Sequence, residues 1–182
     1  MADGTLKVGT ITTSSGSGTI TLGQSGETIA LGATTNNLLT PAFFIKKTSD
    51  QTLTENTYTK ITFDSETFDT DGAYASDKFT VPTGKAGKYF IGAVIWCDTN
   101  TVTNFNYANV AIYVNGSEET NVINDSRNNY TYQHSLNLSY IADLSDNDYV
   151  EVYTRISDTS GSPIVHATSG SNYSYFYGYR II

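Results

Sequence analysis

The chain has 182 residues, enough for one good-sized domain with an appendage and too few for two full domains. It is polar yet weakly charged, with 61 Thr, Ser and Asn residues and only 15% charged residues, and its net charge of −8 excludes nucleic acid and anionic lipid, which need a basic face to displace counterions. No apolar run approaches the ~20 residues needed to cross a bilayer, and MADGTLKVGT lacks the apolar core of a secretory signal, so the protein is expected to act without export or to have lost a signal upstream of Met1.

The first organised stretch is a repeat. Cut every nine residues, positions 9 to 35 read GTITTSSGS, GTITLGQSG and ETIALGATT, with Ile11, Ile20 and Ile29 in register and Leu22 and Leu31 recurring two places later. One such unit cannot form a core, because burying an isoleucine yields ~1.5–3 kcal/mol while ordering each residue costs ~1–2 kcal/mol. Three chains wound about one axis could share those side chains. Residues 1–40 are therefore expected to be an anchor and a trimeric repeat shaft, with Ile11, Ile20, Leu22, Ile29 and Leu31 on the axis. The alternative is a flexible Gly/Ser/Thr linker.

From about Phe43 the pattern changes to short runs of Val, Ile, Tyr, Phe and Thr separated by Asn, Asp, Gly and Ser, clearest in KYFIGAVIW, YANVAIYVNG, DYVEVYTRIS and YSYFYGYRII. No helical period is sustained, so the body is expected to be all β. Two strands are apolar on both faces. Tyr89, Ile91, Ala93 and Ile95 alternate with Phe90, Val94 and Trp96, and Tyr173, Tyr175, Tyr177 and Tyr179 alternate with Phe176. A sandwich strand buries only one face, so a second covering partner is required, and a chain ending on such a strand is expected to lie inside a sheet and against a neighbouring subunit. The lone cysteine, Cys97, permits no internal disulfide and reads as a small buried hydrophobe at the end of a strand.

In order along the chain stand Pro41-Ala42-Phe43-Phe44, Lys60-Ile61-Thr62-Phe63-Asp64, Asp71-Gly72-Ala73-Tyr74, Asp77-Lys78-Phe79-Thr80-Val81-Pro82, Gly87-Lys88-Tyr89-Phe90, Val114-Asn115-Gly116, Leu144-Ser145-Asp146-Asn147-Asp148-Tyr149-Val150 and Phe176-Tyr177-Gly178-Tyr179-Arg180-Ile181-Ile182. Over residues 41–182 this succession resembles the globular head of complement subcomponent q, the C-one-q family, one of the tumour-necrosis-factor-like jelly rolls. Asn115-Gly116 is a strong hairpin signal, and Gly87 and Gly178 would permit close backbone approach in a packed sheet. The resemblance implies an antiparallel jelly-roll sandwich and a homotrimer, whose contacts would supply the missing cover. Three departures stand out: Asn147 where the family usually has Gly, Ala86 where it has Pro, and the nine-residue repeat where the animal proteins carry a collagen-like stalk. Some relatives bind calcium near the trimer axis. Asp143, Asp146 and Asp148 could do so, although their spacing is not that of a dedicated calcium loop and a solvated turn is the simpler reading.

Phe79, Tyr89, Phe90, Ile91, Tyr175, Tyr177 and Tyr179 are expected in the core or at a subunit interface. Tyr107, Tyr130 and Tyr132 lie in polar, loop-like surroundings, where their rings could stack on a sugar. His134 and His166 have no ligand-spaced neighbours, and no nucleophile elbow, phosphate-cradling loop or dinucleotide fingerprint is present, so no enzyme, catalytic residue or cofactor is expected. A short repeat shaft ending in a trimeric knob also looks like the fibre proteins of tailed bacteriophages. The expected role is thus a virion fibre or decoration knob, joined to another virion protein through its N-terminal segment and exposed for adhesion to a host glycan or protein. The rival is a secreted or cell-surface recognition module of C-one-q type.

Overall fold

The computed structural model describes residues 40–99, 105–127, 131, 133–159, 163–167 and 173–181. The chain divides into two units, Met1–Thr35 and Asn36–Ile182, and only the second is described. The shaft positions Ile11, Ile20, Leu22, Ile29 and Leu31 lie outside the described residues, as do Tyr130 and Tyr132.

Among the described residues the strands are β1 (Ala42–Lys46), β2 (Gln51–Thr52), β3 (Thr59–Lys60), β4 (Ser65–Asp69), β5 (Tyr74–Ala75), β6 (Lys78–Thr80), β7 (Gly87–Asp98), β8 (Phe105–Val114), β9 (Ser117–Asp125), β10 (Gln133–Leu144), β11 (Tyr149–Asp158), β12 (Ile164–Val165) and β13 (Tyr175–Arg180). They form two antiparallel sheets. In the first, β7 is paired along its whole length by β10 on one edge, and on the other by β13 and then β12; β1 and β4 extend the β13 side and β2 the β12 side. In the second, β11 is paired by β8, which continues to β9, and on its other edge by β6 and β3. The all-β expectation is met, and β7 and β13 lie in the sheet interior as their double-faced patterns require.

The core forms where the inner faces meet. Phe43, Ile45, Tyr89, Ile91 and Phe176 of the first sheet face Phe79, Val110, Ile112, Val152 and Ile156 of the second, and all are buried. Each such side chain contributes roughly 1.5–3 kcal/mol by leaving water. Ring contacts bridge the sheets, with Phe43 stacked on Phe79 at 4.6 Å and Phe79 against Tyr89 at 5.6 Å. Tyr89 keeps its hydroxyl satisfied by donating to the Lys85 carbonyl at 2.5 Å, and burial pushes its pKa up to about 12. Close approach at Gly178 is real: an added Cβ would sit 2.9 Å from the Phe90 carbonyl oxygen and 2.9 Å from Phe43 Cε1.

The β8–β9 hairpin turns at Asn115-Gly116 with φ of 51° and 81°, the paired positive angles that this dipeptide tolerates. Two of the departures from the family pattern have local explanations. Asn147 has φ of 69°, and asparagine is among the few residues with a side chain that enter the left-handed region readily. Ala86 donates its backbone N–H to Asp146 Oδ1 at 2.9 Å, a bond that proline could not make.

One segment is less regular than its sequence suggests. In Lys60-Ile61-Thr62-Phe63-Asp64 only Lys60 lies in a strand: Ile61 N and Asp64 N still bond the Val152 and Lys46 carbonyls, but Thr62 N goes to Gln51 Oε1 at 3.0 Å and Phe63 N to Asp77 Oδ1 at 3.2 Å. Ile61 and Phe63 still reach the core.

Candidate functional site

On β7 the side chains of Tyr89, Ile91, Ala93, Ile95 and Cys97 turn inward, so Phe90, Gly92, Val94 and Trp96 line the outer face of the first sheet. Strand register then sets what lies beside them. Tyr179 stands opposite Phe90, Tyr177 opposite Gly92 and Tyr175 opposite Val94 on β13; Phe44 of β1 is opposite Tyr177, and Phe68 of β4 is opposite Phe44. On the far edge Ile141 of β10 pairs with Phe90.

The result is a continuous aromatic surface. Phe44 lies 6.4 Å from Phe68, 5.1 Å from Tyr175 and 6.2 Å from Tyr177, and Phe90 lies 5.5 Å from Tyr179 and 6.1 Å from Tyr177. Gly92 makes room for it. The Tyr177 ring lies over that glycine so closely that a Cβ there would come within 2.4 Å of Tyr177 Cζ. Phe68, Ile141 and Tyr179 are 47%, 62% and 46% exposed, so among the described residues none covers this surface. Burial nevertheless raises the Tyr177 hydroxyl pKa, helped by its neighbours Tyr175 and Tyr179. Large contiguous apolar patches on soluble domains mark contact surfaces.

This architecture can be matched to solved structures. Over 79% of this chain and 98% of the other, it superposes on the globular domain of the zebrafish complement 1qA protein with a TM-score of 0.56 at 13% sequence identity. The fold is that of a C-one-q globular head. Comparison with family models matches nothing, and comparison with curated proteins matches nothing.

Within this C-one-q-like fold the expected site residues divide. Phe79, Tyr89 and Ile91 belong to the core, whereas Phe90, Tyr175, Tyr177 and Tyr179 belong to the outer aromatic face. Phe44, Phe68 and Ile141 join that face without having been singled out in the sequence. Phe68 is the hardest to foresee, since only the pairing of β4 with β1 brings it there.

The acidic turn serves the chain itself. Asp146 accepts backbone N–H groups of Gly84, Lys85 and Ala86, which hold its carboxyl below the usual range. Asp148 accepts from Asn115 Nδ2 and Ser145 N, and Asp143 pairs with Lys88 at 3.2 Å. Among the described residues no group of three His, Cys, Asp or Glu is placed to hold a metal ion.

His134 Nε2 lies 2.5 Å from Ser126 Oγ, with the Phe105 ring packed against the imidazole, and burial lowers its pKa. His166 Nδ1 faces Asp50 at 3.3 Å beside Trp96. Cys97 is fully buried, and desolvation pushes its thiol up to about 12. Tyr107, expected in a loop, is on β8 and points outward from the second sheet, its hydroxyl donating to Asn56 Oδ1 at 2.5 Å.

Proposed function

We propose that this chain is a non-enzymatic binding head that assembles into a homotrimer through the outer aromatic face of its first sheet. The observation that carries the reading is the row Phe68, Phe44, Tyr177 over Gly92, flanked by Phe90 and Tyr179, on a face that the described residues leave open. Three copies around one axis hide it from water on all subunits at once, and a closed assembly leaves no free patch to seed open-ended aggregation. The in-register repeat of residues 9–35 supports a setting on the particle of a tailed phage, as a short fibre or decoration knob whose N-terminal segment attaches to another virion protein and whose head adheres to the host.

The likeness to the zebrafish complement 1qA globular domain favours a second reading, a secreted or cell-surface recognition module of a cellular organism, built on the same trimer. Sedimentation of the full chain tests the shared part. A threefold mass that falls to one chain in a Tyr177→Ser/Phe44→Ser double variant is expected, and a monomeric wild type at micromolar concentration refutes it. Mass spectrometry of purified source particles separates the two settings, since presence in virions is expected only for the first.

A further inference from the structure

The outer face of the second sheet differs in chemistry from that of the first. On β11 the outward residues include Glu151, Tyr153 and Arg155, and on β8 they include Tyr107, Asn109 and Tyr113. Arg155 stands directly opposite Asn109. Its guanidinium carbon lies 4.9 Å from the centre of the Tyr58 ring and 5.3 Å from that of Tyr107, so the group is flanked by two aromatic rings. Tyr58 is also 6.3 Å from Tyr113, which packs at 4.4 Å on Tyr153. Two half-buried tyrosines thus flank one arginine, and Tyr113 and Tyr153 extend the ring cluster beside Tyr58 on a sheet face opposite the aromatic face described above.

Among the described residues Arg155 has no ionic partner. Arg127 is bound by Asp125 and Arg180 donates to the Ala86 carbonyl, but among the described residues Arg155 forms no ion pair and no hydrogen bond. Its Nε–H is buried without a protein acceptor, and Asn109 Oδ1, on a residue only 5% exposed, is buried without a donor. In a chain with 18 acidic and 10 basic residues, an arginine without a carboxylate among the described residues keeps its capacity for a charge-assisted bond to an external anion. The ring contacts hold the guanidinium in place, which lowers the ordering cost of binding.

The surrounding groups narrow the anion. Glu118 accepts from Tyr113 Oη at 3.3 Å and Asn121 Nδ2 at 2.6 Å, and Glu151 pairs with Lys60 at 3.2 Å. Glu151 is buried against Lys60, whereas the Glu118 carboxylate repels a doubly charged phosphate more strongly than a singly charged group and can accept a sugar hydroxyl, and the planar guanidinium fork of Arg155 matches a planar carboxylate. The tyrosine rings offer flat apolar surfaces for the C–H face of a pyranose.

We propose that this face binds a carboxylate-bearing saccharide, with Arg155 engaging the carboxylate, Tyr58 and Tyr107 stacking on the sugar ring and Glu118 accepting its hydroxyls. The inference rests on the reading of the chain as a binding head and gives that head a ligand class. It does not depend on trimer formation, because the two faces lie on opposite sides of the sandwich.

The test titrates the full chain with methyl glycosides of glucuronic acid and N-acetylneuraminic acid, using methyl glucoside and the methyl ester of each acid as controls. Binding of at least one acid is expected, with the neutral sugar and the esters weaker by about ten- to a hundredfold, the effect of removing a hydrogen bond to a charged group. Arg155→Gln should lose affinity to the same extent and Arg155→Lys part of it. The ester comparison uses only wild-type protein, so it decides even if an Arg155 variant misfolds. Absence of binding at millimolar sugar, equal binding of acid and ester, or preference for a sulfated sugar or an acidic peptide overturns the proposal. A chain that sediments as a trimer and adheres to cells but ignores both acids would sink this inference alone and leave the binding-head reading standing.

Discussion

Gly178→Ala tests the packing that brings β13 against β7. The added Cβ would lie 2.9 Å from Phe43 Cε1, Ile91 Cδ1 and the Phe90 carbonyl oxygen. The Phe43 ring cannot easily yield, since it is stacked on Phe79 and lies 4.9 Å from Phe176, and the carbonyl oxygen is backbone of the neighbouring strand. Overpacking costs about 1–3 kcal/mol, and alanine's smaller unfolded-state entropy returns about 0.4–1 kcal/mol, leaving a net loss of roughly 1–2 kcal/mol. With a urea slope of about 1–3 kcal/mol per molar, the midpoint should fall by roughly 1 M. Gly92→Ala is the matched contrast. Its Cβ would strike the Tyr177 ring within 2.4 Å, but that ring is half-buried on the outer face and can swing into solvent. The stability of the single chain should change by less than about 0.5 kcal/mol, while displacement of the ring should break the assembly. Urea unfolding followed by the single tryptophan, Trp96, at one low protein concentration reads the first effect without mixing in mass action, and sedimentation reads the second. An unchanged urea midpoint in Gly178→Ala would refute the close-packing argument, and an unchanged assembly mass in Gly92→Ala would refute the interface role of Tyr177.

Two further outcomes follow from ionisation. Cys97, buried and with its thiol pushed up to about 12, should resist a soluble thiol reagent at pH 8 and react only under denaturant; rapid labelling of the native protein would mean that β7 opens readily. Asp146 is held below the usual carboxylate range by the backbone N–H groups of Gly84, Ala86 and Lys85, and Asp64 is also lowered, its hydrogen bonds from Thr48 together with the Lys47 charge outweighing the effect of burial. A carboxylate with a depressed folded pKa binds fewer protons in the native state than in the unfolded one. Its stabilisation is therefore complete above the unfolded value of about 3.9 and is lost as pH falls through the folded one. Thermal midpoints taken from pH 7 to pH 2 should drop less steeply at the acid end for Asp146→Asn than for wild type, and parallel curves would contradict the clasp.

The elements most legible in the sequence are those whose neighbours matter least. The double-faced alternation of β7 and β13 announces a central position because no edge strand tolerates it, and Asn115-Gly116 carries its own turn chemistry. The strand β10 is less legible although Leu136, Leu138, Ala142 and Leu144 alternate there, since Ser and Asn on its outer side make it resemble the loops around it. The hairpin between β5 and β6 is equally hidden: Ser76 and Asp77 both have positive φ, at 53° and 57°, a conformation that their side chains do not advertise as glycine would. What could not be read at all is register. A period of two says that Tyr175, Tyr177 and Tyr179 share a face, but not that Phe44 and Phe68 complete their row, nor that residues 58, 107 and 155 meet on the other sheet. Those meetings depend on pairings between segments far apart in the chain, which local pattern does not encode.

The contrast between the two outer faces bears on how one small sandwich can both assemble and bind. Around Tyr177 the surface is mostly rings and Ile141, with one exposed ion pair, Lys88–Asp143, at its edge on β7 and β10, so permanent burial sacrifices few solvated charges. The face around Arg155 carries Glu118, Glu151 and Lys60 as well, and enclosing it within a subunit interface would desolvate ions whose mutual attraction does not fully compensate. A small ligand avoids most of that cost, because it can satisfy Arg155 and the acids selectively while water remains at the margins. Placing the aromatic face inward in an oligomer and the arginine face outward is therefore the arrangement with the lower desolvation cost. It also implies an order of sensitivity: raising salt should weaken saccharide binding well before it disturbs assembly, since only the former relies on a charge exposed to solvent.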